Sequence, residues 1–234
     1  GCTPGRRLMS DFERKLGVVL ATPSPGTWCE GFGTSMMAML GHFMNVPVMG
    51  YRQQKIIPCS VVGSILPRQR KECVQSMLEL KASHILWVDA DQTFPKDTLH
   101  RLIGWDKDIV GCNIAVKKIP SIPTARGFNK EVIYTDEGQT GLEKVWSVGC
   151  GVLLMKRKVF EKIGYKCFGI LWNEEIDDYN GEDWGMLNAA REAGFEIFID
   201  HGLSNDVGHL GTYRYTHDVV GEVKQTLPPR AVSG

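Results

Sequence analysis

Two short, almost continuously apolar runs constrain the fold of this chain more than any other feature. Residues 16–21 (LGVVLA) and 84–88 (HILWV) lack the polar alternation of a strand that faces water on one side. Such runs are typical of strands buried on both faces of a parallel sheet. Apolar residues recur at helical spacing in residues 32–43, 68–81 and 182–193. This alternation of strands and helices predicts an α/β fold with a mostly parallel sheet flanked by helices.

The remaining segments complete this pattern. Further strands are predicted at residues 46–51, 109–112, 145–148, 151–155 and 195–199, with short helices at 95–103 and 157–163. Residues 113–144 carry prolines and glycines and little periodicity, which indicates loops or hairpins. We therefore expect a single domain over residues 8–225, followed by a loose tail at 226–234.

Composition excludes several classes of protein. The 234 residues include 27 basic and 27 acidic side chains, so the formal net charge is zero and favours neither nucleic acid nor an anionic membrane as partner. The apolar runs are far shorter than the roughly 18 residues that a membrane span needs. Seven cysteines without Cys-x-x-Cys spacing predict buried, reduced thiols. A cytoplasmic protein without a membrane span is expected, and the oligomeric state is left open.

The second apolar run ends directly in two carboxylates, Asp89 and Asp91. Ligands of an open parallel sheet collect beyond the carboxyl ends of its strands, which is where these side chains are expected. Carboxylates two residues apart point the same way if extended geometry persists, so they can share one hard cation or divide a cation and a sugar hydroxyl between them. The alternative is a turn in which both acids only bond backbone amides.

The surrounding motifs carry a resemblance to a known family. The Asp-Ala-Asp sequence follows a helix that opens with Leu66-Pro-Arg-Gln-Arg-Lys, and it precedes Phe94-Pro95 and another predicted helix. This arrangement resembles the nucleotide-sugar-dependent glycosyltransferases of the GT-A fold, especially the small, family 2-like bacterial and phage type. Three further matches are Arg70, the segment Gly181-Glu-Asp-Trp-Gly185 with the downstream Arg191 and Gly194, and the segment Val207-Gly-His-Leu-Gly211.

The resemblance implies a role for each matched residue. A divalent metal, Mn²⁺ or Mg²⁺, is expected on Asp89, Asp91 and His209, and a nucleoside-diphosphate sugar, preferably a UDP-sugar, is the expected donor substrate. Asp183 is the expected general base of an inverting reaction, with Glu182 beside it, and a retaining reaction is the alternative because retaining GT-A enzymes share these motifs. The expected contacts to the donor are Thr22, Pro23, Arg70, Asp89, Gly149 and Gly151. A nucleotide-binding half (about 8–112) and an acceptor half (about 113–225) are implied.

The residues themselves permit these roles but leave alternatives open. Glu182 and Asp183 lie at a predicted helix start, where the helix dipole lowers the pKa of a carboxyl group, so Asp183 is expected to be ionised and able to accept a proton. Both acids are alternatively helix-stabilising residues. His209 is alternatively a surface or hydrogen-bonded histidine, and Gly149 and Gly151 are alternatively parts of a tight turn.

Two kinds of segment outside the motifs are also candidates for ligand contact. Arg68 and Lys71, near the start of a predicted helix, are expected near phosphates, whereas Lys117-Lys118 is expected to be a solvated pair. Residues 172–180 mix aromatic and acidic side chains, which is typical either of an acceptor lid or of a solvated acidic loop.

The expected function is therefore metal-dependent transfer of a hexose or pentose to an acceptor hydroxyl of a glycan or small molecule. A hydroxymethylated base of phage DNA is an alternative acceptor. A nucleotidyltransferase is disfavoured, because residues 22–26 lack a glycine-rich loop with Arg and Lys. The alternative of another class is a non-catalytic nucleotide- or glycan-binding module on the same fold. No acid follows the strand predicted at 46–51, so the nucleobase is unassigned.

Overall fold

A seven-stranded sheet forms the centre of the protein. The computed structural model describes residues 15–174, 177–211, 214–217 and 220. Its strands are Lys15–Ser24 (β1), Gln53–Val62 (β2), His84–Val88 (β3), Gln92–Thr93 (β4), Ile109–Gly111 (β5), Leu142–Val145 (β6), Val152–Lys156 (β7), Leu171–Asn173 (β8), Asp178–Asn180 (β9), Ile197–Asp200 (β10), Gly208–Leu210 (β11) and Arg214–Tyr215 (β12). The order in the central sheet is β2-β1-β3-β7-β5-β10-β6. All but β6 and β7 run in one direction.

Helices cover both faces of this sheet. They are Glu30–Asn45 (α1), Leu66–Glu79 (α2), Thr98–Gly104 (α3), Arg157–Ile163 (α4), Glu182–Glu192 (α5) and His201–Asp206 (α6). One core packs α2, α4 and α5 against the sheet, and a second core packs α1, α3 and α6 against the opposite face. This architecture confirms the predicted α/β class with a mostly parallel sheet, and it is consistent with the GT-A arrangement.

The two apolar runs lie where their composition requires. Every residue of β3 is buried, and so is every residue of β1 after Lys15. Successive side chains alternate between the cores: Val19 and Trp87 belong to the first, and Leu20 and Leu86 belong to the second. Since both faces are covered, neither strand needs a polar side, which explains the continuous apolar pattern.

The prediction of a strand at residues 46–51 is wrong, because the second strand, β2, occupies Gln53–Val62. It lies at the sheet edge, pairs only with β1 in the described part of the chain, and alternates exposed with partly buried side chains. Pro58, which lacks a backbone N–H, is tolerated in such an edge strand. Polar alternation and an internal proline hid this strand from a search for apolar runs.

One other predicted strand needs adjustment. The strand expected at 145–148 is β6, at Leu142–Val145, and Ser147 instead forms an isolated bridge with Arg126. Residues 113–141 consist of loops with isolated bridges, as predicted. The tail predicted at 226–234 lies outside the described residues. Within the described residues, no helix has the length and apolar character needed to cross a membrane.

The close packing of β5 generates a stability prediction. A Cβ added to Gly111 would lie 2.7 Å from both the side chain of Leu153 and the carbonyl oxygen of Val152. Gly111→Ala should therefore lower the free energy of unfolding by about 1–3 kcal/mol. A Cβ added to Gly33, inside α1, would have no atom within 4 Å. Gly33→Ala should therefore raise the free energy of unfolding by about 0.5–1 kcal/mol. Urea denaturation followed by far-UV circular dichroism measures both, and equal stability of Gly111→Ala and the wild type would contradict the packing.

Candidate functional site

The carboxyl ends of β1, β2 and β3 border a cavity of about 580 Å³, here called the edge cavity. Its walls come from five parts of the chain. The lining residues are Pro23, Ser24, Pro25, Thr27, Cys29, Gly63, Ser64, Leu66, Gln69, Asp89, Ala90, Asp91, Lys117, His209, Leu210 and Gly211. The structure thus brings the predicted residues Asp89, Asp91 and His209 to one cavity. This is the place where ligands of open α/β sheets bind.

Strand β11 carries His209 to the edge cavity from far downstream. It pairs antiparallel with β4, which places His209 opposite Gln92, and the amide of Leu210 donates to the carbonyl of Asp91 at 2.7 Å. The Nδ1–H of His209 donates to the carbonyl oxygen of Ala115 at 3.1 Å. Since Nδ1 carries this proton, Nε2 is the ring nitrogen that faces Asp91, and it can act as a lone-pair donor when it is unprotonated.

Asp91 is held between a histidine and a lysine. Its Oδ1 lies 3.4 Å from His209 Nε2, and its Oδ2 accepts a hydrogen bond from Lys117 Nζ. Oδ1 is buried and has no hydrogen-bond partner among the described residues. Burial raises the pKa of Asp91, but the facing His209 and Lys117 lower it more, so the net pKa lies below the ordinary value. Asp91 is therefore a carboxylate with one oxygen not satisfied by the protein.

Asp89 faces a different partner from Asp91. The strand ends at Val88, and a turn closed by the Gln92 amide and the Asp89 carbonyl separates the two acids. Asp89 Oδ1 accepts from Arg70 Nη2 at 3.2 Å. Extended geometry therefore does not persist through the motif. Among the described residues no three His, Cys, Asp or Glu side chains form a complete metal cluster, and Asp91 with His209 is a pair of potential ligands.

Arg70 joins the edge cavity to helix α5. Its side chain is 2% exposed, and its Nε donates to Glu182 Oε1 at 2.8 Å while its Nη2 donates to Asp89. The guanidinium also lies over the Trp87 ring, 5.3 Å from the ring centroid. Arg70 is not among the residues that line the edge cavity. It was expected to contact the nucleotide, but in this structure it pairs with two carboxylates, one from each side of the site.

Asp183 lines a second cavity, of about 280 Å³. This cavity, here called the α5 cavity, is lined by Val116, Thr124, Arg126, Ser147, Val148, Gly149, Tyr179, Asn180, Gly181, Asp183 and Trp184. Asp183 Oδ1 accepts the backbone N–H of Trp184 at 2.8 Å. Gly181, the N-cap of α5, allows this conformation, because a Cβ there would lie 2.7 Å from Asp183 Oδ1.

The pKa of Asp183 differs from the sequence-based expectation. Burial is the largest effect and, together with the charge of Glu182, raises this pKa above its ordinary value. Arg70 and the Trp184 amide oppose the rise without cancelling it. Helix electrostatics alone predicted a lowered pKa, and that expectation is wrong because it ignored desolvation. A raised pKa makes the carboxylate more basic, which suits a proton acceptor.

The remaining predicted contacts divide between the cavities and the core. Pro23 lines the edge cavity and Gly149 lines the α5 cavity, whereas Thr22 is buried in β1 and lines neither. A Cβ on Gly151 would lie 2.6 Å from Ile114 Cδ1, so a larger residue at this position needs that side chain to shift.

The basic residues of α2 are also placed differently from the prediction. Arg68 is solvent-exposed and pairs with Glu72, one turn along the same helix. Lys71 lies 6.0 Å from the ring centroid of Tyr165. Neither lines the edge cavity, so the structure does not bring them to Asp89 and Asp91.

Sequence reasoning missed two residues of the edge cavity. Lys117 was expected to be solvated but contacts Asp91. Gln69 was not singled out, although its amide donates to the carbonyl of Ser24, the last residue of β1, and to that of Val61, next to the end of β2. No motif marks either residue, because both depend on loops and strand ends that meet only in three dimensions.

Comparison with known proteins supports the fold. No family model and no curated protein sequence matches the chain significantly. Among solved structures, A197 from STIV is similar with a TM-score of 0.58 at 14% identity, covering 91% of this chain and 100% of that chain. GalNAc-T7, solved with UDP, GalNAc and Mn²⁺, gives a TM-score of 0.45 at 13% identity, covering 87% and 44% respectively. At this identity the likeness to A197 is evidence for a common fold alone.

Removal of the Arg70 charge should destabilise the protein strongly. Arg70→Met leaves Glu182, whose side chain is only 12% exposed, without its ion-pair partner. Breaking a buried pair in this way costs about 3–5 kcal/mol of unfolding free energy. Arg68→Met, on the same helix but exposed, should cost no more than about 0.5 kcal/mol. Chemical denaturation measures both variants, and similar losses for the two would show that the Arg70 pairs are not important for stability.

Proposed function

We propose that this protein is a metal-dependent glycosyltransferase of the GT-A type, which transfers a sugar from a nucleoside-diphosphate donor to an acceptor hydroxyl. The observation that carries the proposal is the pair formed by Asp91 and His209. A buried carboxylate oxygen without a hydrogen bond lies 3.4 Å from His209 Nε2, and the other ring nitrogen of that histidine is already bonded to a backbone carbonyl. Two electron-rich atoms in contact are stabilised by a cation or a proton between them.

A divalent cation fits these donors. Carboxylate oxygen and imidazole nitrogen are ligands for Mn²⁺, and the backbone bond of His209 Nδ1 orients the ring as in many metal sites. Asp91 and His209 would hold the ion, with Asp89 available for a metal-bound water or a ribose hydroxyl. When bound, the ion supplies positive charge that offsets the negative charge developing on the diphosphate leaving group.

The edge cavity suits the donor nucleotide. It lies beyond the carboxyl ends of three strands and has a volume of about 580 Å³, which is in the range of small-molecule sites. The residues that follow β2, Gly63 and Ser64, carry no acid, so the base is not assigned from this edge.

The α5 cavity suits the acceptor. Tyr179 offers an aromatic face, and Thr124, Ser147 and Asn180 offer hydrogen-bonding groups, which together are typical of sites that bind hydroxylated ligands. Asp183 in the same cavity would remove the proton of the acceptor hydroxyl. The acceptor oxygen would form a bond to the anomeric carbon as the bond from that carbon to the diphosphate breaks, with the proton retained on Asp183. This course inverts the anomeric configuration.

Arg70 and Glu182 would act as positioning residues. Arg70 fixes Glu182 at the start of α5 and Asp89 at the end of β3. Since Glu182 precedes Asp183, the same contact fixes the helix end that presents the base. The orientation of donor and acceptor groups is a large part of the rate gain available to a transferase.

Ligand-dependent stabilisation tests the donor site. Mn²⁺ with UDP should raise the melting temperature of the wild type by about 5–10 °C at ligand concentrations near 100 times Kd, from about 2.7 kcal/mol of binding energy. Asp91→Asn and His209→Gln should abolish most of this shift, because each removes a metal ligand. Glu137→Gln, at an exposed position that lines neither cavity, should retain the shift.

Two results separate the alternatives. A wild type whose melting temperature is indifferent to Mn²⁺, UDP and GDP-sugars would contradict the proposal. A shift that depends on Asp91, without release of UDP from any UDP-sugar, would instead identify a non-catalytic nucleotide-binding module.

Asp183→Asn should separate catalysis from stability. Turnover should fall by about 10²- to 10⁴-fold, because general-base assistance is lost, while the UDP-dependent melting shift is retained.

Since burial raises the pKa of Asp183 in the folded state above its ordinary value of 3.8, the ionised side chain destabilises the fold at neutral pH. The variant should therefore unfold at higher temperature than the wild type at pH 7, and this gain should vanish as the pH falls towards 3.8. Near-native turnover would contradict the assignment of the base.

A further inference from the structure

Lys117 extends into the edge cavity from a loop that is held by backbone hydrogen bonds. The loop after β5 is held by hydrogen bonds from the Thr124 amide to the Ile114 carbonyl at 2.9 Å and from the Val116 amide to the Ile122 carbonyl at 3.0 Å. The hydroxyl of Ser121 also donates to the Val116 carbonyl. The backbone beside Lys117 is therefore fixed, and its long side chain provides the freedom to move.

The ion pair of Lys117 with Asp91 is suited to exchange. The two side chains are 36% and 30% exposed, and partly exposed ion pairs are weak. An ammonium is a compact charge on a flexible chain, so it can exchange one oxygen ligand for another. By contrast, Arg70 is buried and pairs with Asp89 and Glu182.

The charges of the edge cavity leave one positive group available for a ligand. Among the described residues that line the cavity, Lys117 is the only lysine or arginine. Asp91, its partner, is also the residue that would hold the metal. The divalent cation and the Lys117 ammonium therefore compete for Asp91, whereas a bound diphosphate would attract both positive charges.

We propose that Lys117 is a displaceable cation of the donor site, an inference that rests on the proposed function. Lys117 neutralises Asp91 when the cavity holds no ligand, gives way to the divalent cation, and then contacts the diphosphate. The same side chain thus opposes metal binding in the absence of nucleotide and favours diphosphate binding once the metal is present. A lysine that only stabilises the loop would have neither effect.

Mn²⁺ titration followed by electron paramagnetic resonance tests the first half of this proposal. Without nucleotide, Lys117→Gln should bind Mn²⁺ about threefold to tenfold more tightly than the wild type, because the competing charge is gone. Lys118→Gln, which alters the adjacent exposed lysine, should bind as the wild type does. Lys117→Arg, which keeps the charge, should show no gain.

Calorimetry with inorganic pyrophosphate tests the second half. This probe carries the diphosphate without a base or sugar, so it does not depend on the identity of the donor. In protein saturated with Mn²⁺, Lys117→Gln should bind pyrophosphate about threefold to tenfold more weakly than the wild type, and Lys117→Arg should restore the affinity. Opposite changes in metal and pyrophosphate affinity in one variant are the signature of a displaceable cation.

The possible failures are distinguishable. Equal Mn²⁺ affinity of wild type and Lys117→Gln, with loss of binding in Asp91→Asn, would overturn the role of Lys117 and leave the metal site intact. Changes of the same sign for Mn²⁺ and pyrophosphate would also overturn it. Absence of Mn²⁺ binding from both wild type and Lys117→Gln would overturn this inference together with the proposed metal-dependent function.

Discussion

The buried guanidinium of Arg70 is the contact on which the geometry of the site depends. A charge that is only 2% exposed is tolerated when it is paired, and its two partners come from opposite sides of the site: Asp89 at the end of β3 and Glu182 at the start of α5. One side chain therefore fixes the spacing between the sheet edge and the helix that carries Asp183. The edge cavity is lined by Asp89 of this ion-pair network, and the α5 cavity is lined by Asp183, the neighbour of Glu182 along the chain.

The charges around this network differ in how firmly they are held. Asp89 is paired with a buried arginine, whereas Asp91 is paired with a partly exposed lysine and faces the imidazole of His209. Asp183 is ionisable in a position where burial and a neighbouring acid raise its pKa. In the proposed reaction, negative charge develops on the departing diphosphate and the acceptor hydroxyl loses a proton. The site therefore needs an exchangeable cation for the first step and a basic carboxylate for the second. The second of these, a carboxylate whose pKa is raised by burial, reduces the stability of the protein at neutral pH, as is common for functional sites.

The sequence predicts the sheet better than it predicts the site. Continuous apolar runs identify β1 and β3 because both faces of those strands are covered, and the acids of the motif follow at the expected edge. Strand β2 was misplaced because an edge strand with Pro58 lacks that signal. The partners of Asp89 and Asp91, the burial of Arg70 and the raised pKa of Asp183 were not predictable. They depend on which side chains are buried against one another in the folded protein, and the spacing of residues along the sequence does not give that information.

A crystal structure of the protein with Mn²⁺ and UDP tests the central claim most directly. The account predicts a single ion, identified by its anomalous signal, that contacts Asp91 Oδ1, His209 Nε2 and the diphosphate, with the Lys117 ammonium moved from Asp91 to a phosphate oxygen. An ion bound elsewhere, or a nucleotide bound outside the edge cavity while Lys117 still holds Asp91, would contradict it.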